Sequence, residues 1–145
     1  MRPCPIRYKI TFPYGKIYPP EYQYLTADHK HHGIDYGTPI GTSVGACVDG
    51  IINFIGYLRG YGNTLIIKFF VGNIFNRKTY RLILAHLDKI TTAKKVGQKI
   101  SKFNNVALSG DSGMATGHPH LHLQVEQLIK GIWVPINPSF VVGKD

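Results

Sequence analysis

Long runs of strand-type residues, separated by glycine-rich turns, constrain the fold of this chain more than any other feature. Residues 46–57, 63–71 and 79–87 are rich in Val, Ile, Leu, Tyr and Phe, and β-branched and aromatic residues favour strands. Gly60 to Asn63 separates the first two runs and predicts a hairpin turn. No segment has the period of a long amphipathic helix. The pattern predicts an all-β domain, with two sheets packed face to face or one partly closed sheet.

Shorter elements are expected on either side of these runs. Arg7–Phe12 alternates like a strand, and residues 16–30 predict a surface loop because Pro19-Pro20 disfavours a helix. Later in the chain we expect short strands at 96–100, 105–108 and 132–134, a helical turn within 88–95, and an end of the fold at Asn137-Pro138. A length of 145 residues fits a single domain over 1–145.

Polar and apolar residues alternate from His120 to Glu126, which is the period of a half-buried strand. On such a strand the side chains of His120, His122 and Gln124 share one face. Leu121, Leu123 and Val125 then point into the core. The strand therefore holds two imidazoles side by side on a rigid element.

Six of the seven histidines fall into two clusters, at positions 29, 31 and 32 and at positions 118, 120 and 122. If residues 31–35 are extended, His31, Gly33 and Asp35 face the same way, and Gly33 leaves space between the other two. A helix would also place His31 and Asp35 on one face, but Gly33 and the β-branched Ile34 disfavour it. Both readings select His31 and Asp35 rather than His29 or His32.

Imidazole nitrogens and a carboxylate oxygen are suitable ligands for Zn²⁺. Two imidazoles and one carboxylate would leave a fourth position open, as in catalytic zinc sites. The chain has no His-Glu-x-x-His motif, so the remaining histidines, His120 and His86, are the candidates to move protons. His86 lies inside the apolar run 82–87. It is either a core histidine bonded to the backbone or a strand-end residue that reaches the reacting groups.

Composition narrows the class of partner. A formal charge of +9 favours polyanions such as nucleic acid, an anionic membrane or cell-wall polymers. No RNP-type motif, zinc finger or basic helix supports nucleic-acid binding. No apolar run approaches the roughly 18 residues of a transmembrane helix, and residues 1–5 lack the apolar region of a secretory signal. Cys47 lies in an apolar run and is expected to be buried rather than paired with Cys4.

Three short motifs occur in a fixed order along the chain: His31-x-Gly33-x-Asp35, Ala85-His86-Leu87 and Pro119-His120-Leu121-His122. With Tyr61-Gly62-Asn63 and Gly110-Asp111-Ser112-Gly113 between them, these motifs resemble the lysostaphin-like, LytM-type zinc endopeptidases that cut peptide cross-links in bacterial peptidoglycan. The resemblance covers roughly residues 8–140, which would form the core of the domain.

The resemblance implies a role for each candidate residue. His31, Asp35 and His122 would be the zinc ligands, and His120 and His86 the catalytic histidines. Tyr24 would help to stabilise the tetrahedral intermediate, although its spacing from the first ligand differs from the family pattern by about one residue. The implied fold is a compact antiparallel β-sheet domain with a substrate groove.

This chain departs from the family pattern at three places. Leu84 replaces a tyrosine before the Ala-His-Leu motif, Leu123-Gln124 replaces Phe-Glu after the second pair of histidines, and His118 is an extra residue before Pro119. These departures affect the orientation of the ligands and the shape of the groove rather than the ligands themselves.

The expected function is that of a zinc endopeptidase, with one zinc ion per chain, that hydrolyses peptide bonds in the stem or cross-bridge of peptidoglycan. The alternative is a non-catalytic domain of the same fold that binds wall or activates an amidase. We expect a monomer that acts at the bacterial cell wall, where its basic charge attracts anionic wall polymers. The absence of a secretory signal predicts a phage-type or virion-associated lysin.

Overall fold

A computed structural model describes residues 1–143 of the chain. Ten strands, two 3-10 helices and one short α-helix make up its regular elements. The strands are β1 (Ile10–Phe12), β2 (Ile34–Tyr36), β3 (Ser43–Gly45), β4 (Gly50–Leu58), β5 (Gly62–Val71), β6 (Lys78–Ile90), β7 (Lys99–Ile100), β8 (Asn105–Ser109), β9 (Leu121–Ile129) and β10 (Ile132–Ile136). The 3-10 helices are Pro20–Leu25 and Gly113–Ala115, and α1 is Ser139–Val142.

All ten strands belong to one antiparallel sheet that is not closed into a barrel. Its main path runs β1-β2-β9-β6-β5-β4-β7, with β10 added to β9 and with β8 joining β3 to β6. The long strands β5, β6 and β9 lie next to one another at its centre. The prediction of an all-β antiparallel domain is confirmed.

The alternation along each strand separates a core face from a second, more polar face. Leu121, Leu123 and Val125 of β9 are buried on the core face, as predicted, with Leu82 and Leu84 of β6 beside them. On the other face of β9 lie His122, Gln124 and Glu126. The core also includes Cys47, which is buried as expected.

Three expectations about local structure were wrong. No helical turn forms at 88–95, because β6 continues to Ile90 by pairing Leu87, Lys89 and Ile90 with β8. The loop at 16–30 contains the 3-10 helix Pro20–Leu25, in which proline occupies the first turn, where its missing N–H costs no hydrogen bond. The fold does not end at Pro138 but continues into α1, whose Val142 is buried.

The sequence also failed to indicate β3, a three-residue strand that pairs with β8. The hairpin turn between β4 and β5 is present where predicted, and Gly60 and Gly62 adopt the positive φ angles that such a turn needs. Among residues 1–143, no helix is both long enough and apolar enough to cross a membrane.

Candidate active site

Three side chains converge where β2 lies beside β9. Asp35 and His122 are register partners on these strands, and His31 precedes β2. His122 Nδ1 lies 2.9 Å from Asp35 Oδ1, and His31 Nε2 lies 3.2 Å from each of those atoms. Both imidazoles are buried. The structure therefore brings together the three residues that were predicted to bind a metal.

A carbonyl oxygen holds the outer nitrogen of each imidazole. His31 Nδ1 lies 3.2 Å from the carbonyl of Pro13, and His122 Nε2 lies 3.0 Å from Gln124 Oε1. Because a carbonyl oxygen can only accept, each outer nitrogen carries a proton, and the inner nitrogen of each neutral ring presents a lone pair. Two lone pairs and a carboxylate oxygen thus point toward one another, an arrangement that a cation stabilises.

The spacing of these three atoms fits a metal ion. Zinc binds imidazole nitrogen and carboxylate oxygen at about 2.0–2.2 Å, so neighbouring ligand atoms of a tetrahedral site lie about 3.3 Å apart. The observed separations are 2.9 and 3.2 Å. His31, Asp35 and His122 would supply three corners of such a tetrahedron and leave the fourth open.

The charges around Asp35 favour a bound cation. Burial alone would raise the pKa of Asp35, but hydrogen bonds with His122 and His31 outweigh it and hold that pKa well below its usual range. Burial would likewise lower the pKa of His122, and the hydrogen bond with the Asp35 carboxylate reverses this effect and raises it. Asp35 is therefore ionised at neutral pH. A metal ion at this site and a proton on His122 would compete for the negative charge of Asp35.

Side chains of β9, β6 and the turn before β5 form a chain of hydrogen bonds that holds His122 in place. Gln124 Oε1 accepts a second hydrogen bond, from the Tyr61 hydroxyl at 3.1 Å, and Gln124 Nε2 donates to Glu126 Oε2 at 2.9 Å. Glu126 in turn accepts a 2.6 Å hydrogen bond from Arg81 Nε. These contacts fix which end of the Gln124 amide faces His122. The glutamine at this position therefore orients the ligand.

Gly33 is required by the close approach of β9. A Cβ atom at this position would lie 2.5 Å from the Leu123 carbonyl oxygen and 2.7 Å from Cε1 of His122. No side chain fits there without moving the imidazole. The sequence had indicated that Gly33 leaves space between His31 and Asp35, and that space is filled by the ring of His122.

A β-bulge in β6 directs His86 away from the core. Asn63 and Leu65 of β5 face Leu87 and Leu84 of β6, so β6 carries one extra residue at this point. His86 has a φ of 59°, in the left-handed region, and its N–H donates to the Tyr61 carbonyl at 2.7 Å. Leu84 and Leu87 are both in the core. Since the bulge reverses the alternation between them, the side chain of His86 lies with the candidate ligands.

His86 is neutral at physiological pH. Burial, together with the nearby His120 and His122, lowers the pKa of its imidazole to about 4. Its Nδ1 lies 2.8 Å from the carbonyl of Ser112 and therefore carries the proton. The Nε2 atom of the neutral ring is left as a hydrogen-bond acceptor.

His120 lies between His86 and the candidate metal site. The ring centroids of His120 and His86 are 4.7 Å apart, and the two ring planes are inclined by 60°. His120 Nδ1 lies 2.8 Å from the carbonyl of His118, so its Nε2 is also the unprotonated nitrogen of the neutral ring. This Nε2 lies 3.7 Å from Asp35 Oδ2. His120 can therefore accept a proton beside the carboxylate.

One groove, with a volume of about 720 Å³, is lined by all five candidate residues: His31, Asp35, His86, His120 and His122. Residues 18–26 and the turns at 59–61 and 114–118 supply most of the rest of its lining. Tyr24 lies in this lining with 71% of its surface exposed. Within residues 1–143 it makes no hydrogen bond or ring contact with the five, and its catalytic role stays a prediction.

Two other tyrosines lie closer to the candidate ligands than Tyr24. The ring of Tyr18 lies 5.8 Å from that of His31, and the ring of Tyr61 lies 5.7 Å from that of His122. Burial, followed by the charge of Asp35, raises the pKa of Tyr18 to about 12. Tyr61 belongs to a motif that the sequence had indicated, whereas no sequence signal distinguished Tyr18 from its neighbours.

The remaining histidines lie outside this arrangement. His32 contacts Asp28 at 2.9 Å, His29 is exposed, and His118 is an exposed loop residue whose backbone carbonyl holds His120. Among residues 1–143, none of the three belongs to the group of side chains that could hold a metal ion.

Comparison with known proteins places this geometry in a family. Residues 29–138 match Peptidase family M23. The chain is 38% identical over 95 residues to "Peptidoglycan DD-endopeptidase ShyA" of Vibrio cholerae, covering 66% of this chain and 20% of that protein. It is 33% identical over 134 residues to "DD-carboxypeptidase/endopeptidase Mpg" of Neisseria meningitidis, covering 92% of this chain and 27% of that protein. The chain thus spans between a fifth and about a quarter of the length of these relatives.

Solved structures give the same result. The catalytic domain of the antimicrobial peptidase lysostaphin from Staphylococcus simulans superposes with a TM-score of 0.72 at 26% identity, covering 95% of this chain and 94% of that one. A zinc-containing peptidase from Vibrio cholerae has a TM-score of 0.68 at 30% identity, covering 99% of this chain and 39% of that one. The sequence match and the shared fold together establish that this chain belongs to peptidase family M23.

Proposed function

We propose that the chain is a zinc-dependent endopeptidase that hydrolyses peptide bonds in bacterial peptidoglycan. The observation that carries the proposal is the convergence of two imidazole lone pairs and one carboxylate oxygen, beside two further imidazoles that line the same groove. Two of the relatives, ShyA and ShyB of Vibrio cholerae, are named peptidoglycan DD-endopeptidases, and these names support peptidoglycan as the substrate.

His31, Asp35 and His122 would hold one zinc ion per chain. When bound there, zinc would lower the pKa of a water molecule and polarise the scissile carbonyl. Pro13 and Gln124 keep the lone pairs of the two imidazoles directed inward and so select the tautomer that binds metal.

His120 would act as the general base. Its Nε2, which lies 3.7 Å from Asp35 Oδ2, accepts a proton from the attacking water. The same nitrogen then returns the proton to the amine that leaves when the peptide bond breaks, which completes the proton transfers.

His86 would orient the reactants through its neutral Nε2, which accepts a hydrogen bond from the water or from a substrate N–H. A contact with the oxyanion would require a proton on this nitrogen, which the lowered pKa of His86 disfavours at neutral pH. The neutral state of His86 therefore favours the orienting role.

The wider setting follows from the substrate. The chain would act at the cell wall, where its net charge of +9 attracts anionic wall polymers. It would function as a monomer that consists of one peptidase domain.

Zinc content and wall digestion test the proposal together. The purified protein should contain one zinc per chain and release peptides with new amino termini from walls of defined cross-link type, as identified by mass spectrometry. Asp35→Ala should lose both zinc and activity, whereas His120→Ala should keep zinc and lose at least about 100-fold in rate. His32→Ala, at a groove histidine outside the set of five, is the matched control and should keep both properties.

Two results would count against this reading. Zinc-free Asp35→Ala protein that digests walls at the normal rate would refute the metal mechanism. Zinc-loaded protein that binds walls but releases no new amino termini from any of them would support the alternative, a non-catalytic wall-binding or amidase-activating domain.

A further inference from the structure

The end of the sheet farthest from the groove carries two neighbouring hairpin turns. One joins β5 to β6 through residues 72–77, and the other joins β9 to β10 through residues 130–131. Val71 pairs with Lys78, and two residues further along β6 Tyr80 pairs with Gln127. Both turns therefore project from the same end of the sheet.

The first of these turns presents two large apolar side chains to solvent. Ile74 is 88% exposed and Phe75 is 91% exposed. The turn itself is well ordered by hydrogen bonds, because Asn73 Oδ1 accepts from the N–H groups of Phe75 and Asn76, and Asn76 Oδ1 accepts from the N–H of Asn73. Folding thus holds two apolar groups in water at the tip of a rigid hairpin.

More apolar and basic residues surround this tip. We define the distal surface as the exposed apolar residues and the basic residues of the two hairpin ends: Lys68, Phe70, Val71, Ile74, Phe75, Arg77, Lys78, Ile129, Lys130 and Ile132. The Arg77 guanidinium lies over the Phe70 ring at 4.3 Å. Single exposed apolar residues are common on protein surfaces, but a cluster of six at one end of the fold indicates a binding surface.

Basic residues outnumber acidic residues around the distal surface. Residues 50–87 contain Arg59, Lys68, Arg77, Lys78 and Arg81 but no Asp or Glu. Of the nearby acidic residues, Glu126 forms an ion pair with Arg81, whereas Asp49, just before β4, accepts a hydrogen bond from the backbone N–H of Lys102. Among residues 1–143, the four cations of the distal surface form no ion pair. An anionic partner would complement this surface.

We propose that the distal surface docks onto an anionic lipid membrane, with Ile74 and Phe75 inserted at the boundary between headgroups and acyl chains. Apolar side chains at a tip, flanked by Lys and Arg, match the interfacial region of a bilayer, where apolar burial and attraction to anionic headgroups act together. A soluble polyanion would use the basic residues but not the apolar tip. The combination therefore favours a membrane over a wall polymer.

This docking would orient the groove away from the membrane. Strand β5 connects the groove to the distal surface. It begins at Gly62, directly after Tyr61 of the groove lining, and ends at Val71. Ten residues of strand span about 30 Å. A protein resting on its distal surface would thus hold the groove about 30 Å above the lipid headgroups. The proposal concerns membrane binding alone and does not depend on the peptidase activity.

Vesicle flotation tests the proposal with this chain as it stands. It should float with vesicles of phosphatidylcholine mixed with phosphatidylglycerol, and at least tenfold less with vesicles of phosphatidylcholine alone. The double variant Ile74→Ser, Phe75→Ser should lower partitioning into the mixed vesicles at least tenfold. Ile6→Ser, at another exposed apolar residue outside the distal surface, is the matched control and should partition like the unaltered chain. Circular dichroism and zinc content should be the same in all variants.

Each other outcome contradicts the proposal. If the double variant partitions as well as the unaltered chain, binding depends on net charge alone and the tip does not insert. If the unaltered chain fails to float with the mixed vesicles, the distal surface does not bind membranes. If sedimentation instead shows a dimer that the double variant disrupts, a second copy of the chain covers this surface.

Discussion

At the scale of single residues, the site depends on side chains that fix the tautomers of the histidines. Gln124 is the clearest case, because one amide oxygen accepts from both His122 and Tyr61 while the amide nitrogen donates to Glu126. The sequence could indicate only that a glutamine stands where the family has a glutamate. The contact with His122 depends on two side chains two residues apart on one face of β9.

Replacing Gln124 with leucine should weaken metal binding without removing a ligand. The substitution deprives His122 Nε2 of its acceptor and frees the ring to turn, and loss of such supporting contacts typically lowers metal affinity by about 10–100-fold. Competition with a fluorescent zinc chelator would measure the change. Gln127→Leu, the same substitution on the same strand, should leave the affinity unchanged. An equal loss in both variants would show a general effect on β9 rather than on His122.

His86 should make the stability of the protein depend on pH. Its pKa in the folded protein, about 4, lies below the ordinary value of about 6.5. Between these values the unfolded chain binds more protons, so the free energy of unfolding rises with pH through this window and falls as the solution is acidified. At about 1.36 kcal/mol per pH unit, the contribution from His86 reaches up to about 3 kcal/mol.

The variant His86→Asn isolates that contribution. Asparagine tolerates the left-handed backbone at this position, and its amide can replace the Nδ1–H donor to Ser112, but it does not titrate. Urea denaturation of the metal-free proteins at pH 4.5 and pH 7 should show a smaller change for the variant than for the unaltered chain. Equal changes in the two proteins would mean that burial does not depress the pKa of His86.

At the scale of elements, the position of β9 against β2 depends on Gly33. Gly33→Ala would place a methyl group against the His122 ring and the Leu123 carbonyl. We expect a loss of about 1–3 kcal/mol in the free energy of unfolding, which is typical of overpacking, together with weaker zinc binding. Gly45→Ala is the matched control, since a Cβ there would come no closer than 3.8 Å to the nearest neighbours. Denaturation and zinc competition on both variants would test this, and normal zinc affinity in Gly33→Ala would contradict it.

The bulge in β6 could not be predicted from the sequence. Strict alternation would place His86 on the same face as Leu82 and Leu84, in the core. One extra residue in β6 reverses the alternation, so that Leu87 enters the core and His86 does not. The residues on both sides of His86 are apolar, so the sequence does not show where the alternation reverses. A bulge is defined by the pairing with the neighbouring strand, which the sequence does not give.

At the scale of the whole molecule, zinc should stabilise the folded state. A ligand that binds only the folded state at 100 times its dissociation constant contributes about 2.7 kcal/mol, which corresponds to an increase of about 5–10 °C in Tm for a chain of this size. Differential scanning calorimetry with and without a chelator would measure the shift. Asp35→Ala should show none, and a similar shift in that variant would place the metal elsewhere.

The sequence by itself determined the strand-rich class of the fold and the three motifs, because strand periodicity and motif spacing are local properties of the chain. It also selected His31 and Asp35, since both lie on one face whether the segment is a strand or a helix. Only the tertiary structure decided how the two histidine clusters meet, since the contact between His31 and His122 joins residues 91 positions apart. It likewise decided that the carbonyls of Pro13 and Ser112 fix the imidazoles. Such contacts are made between distant segments, and no local pattern encodes them.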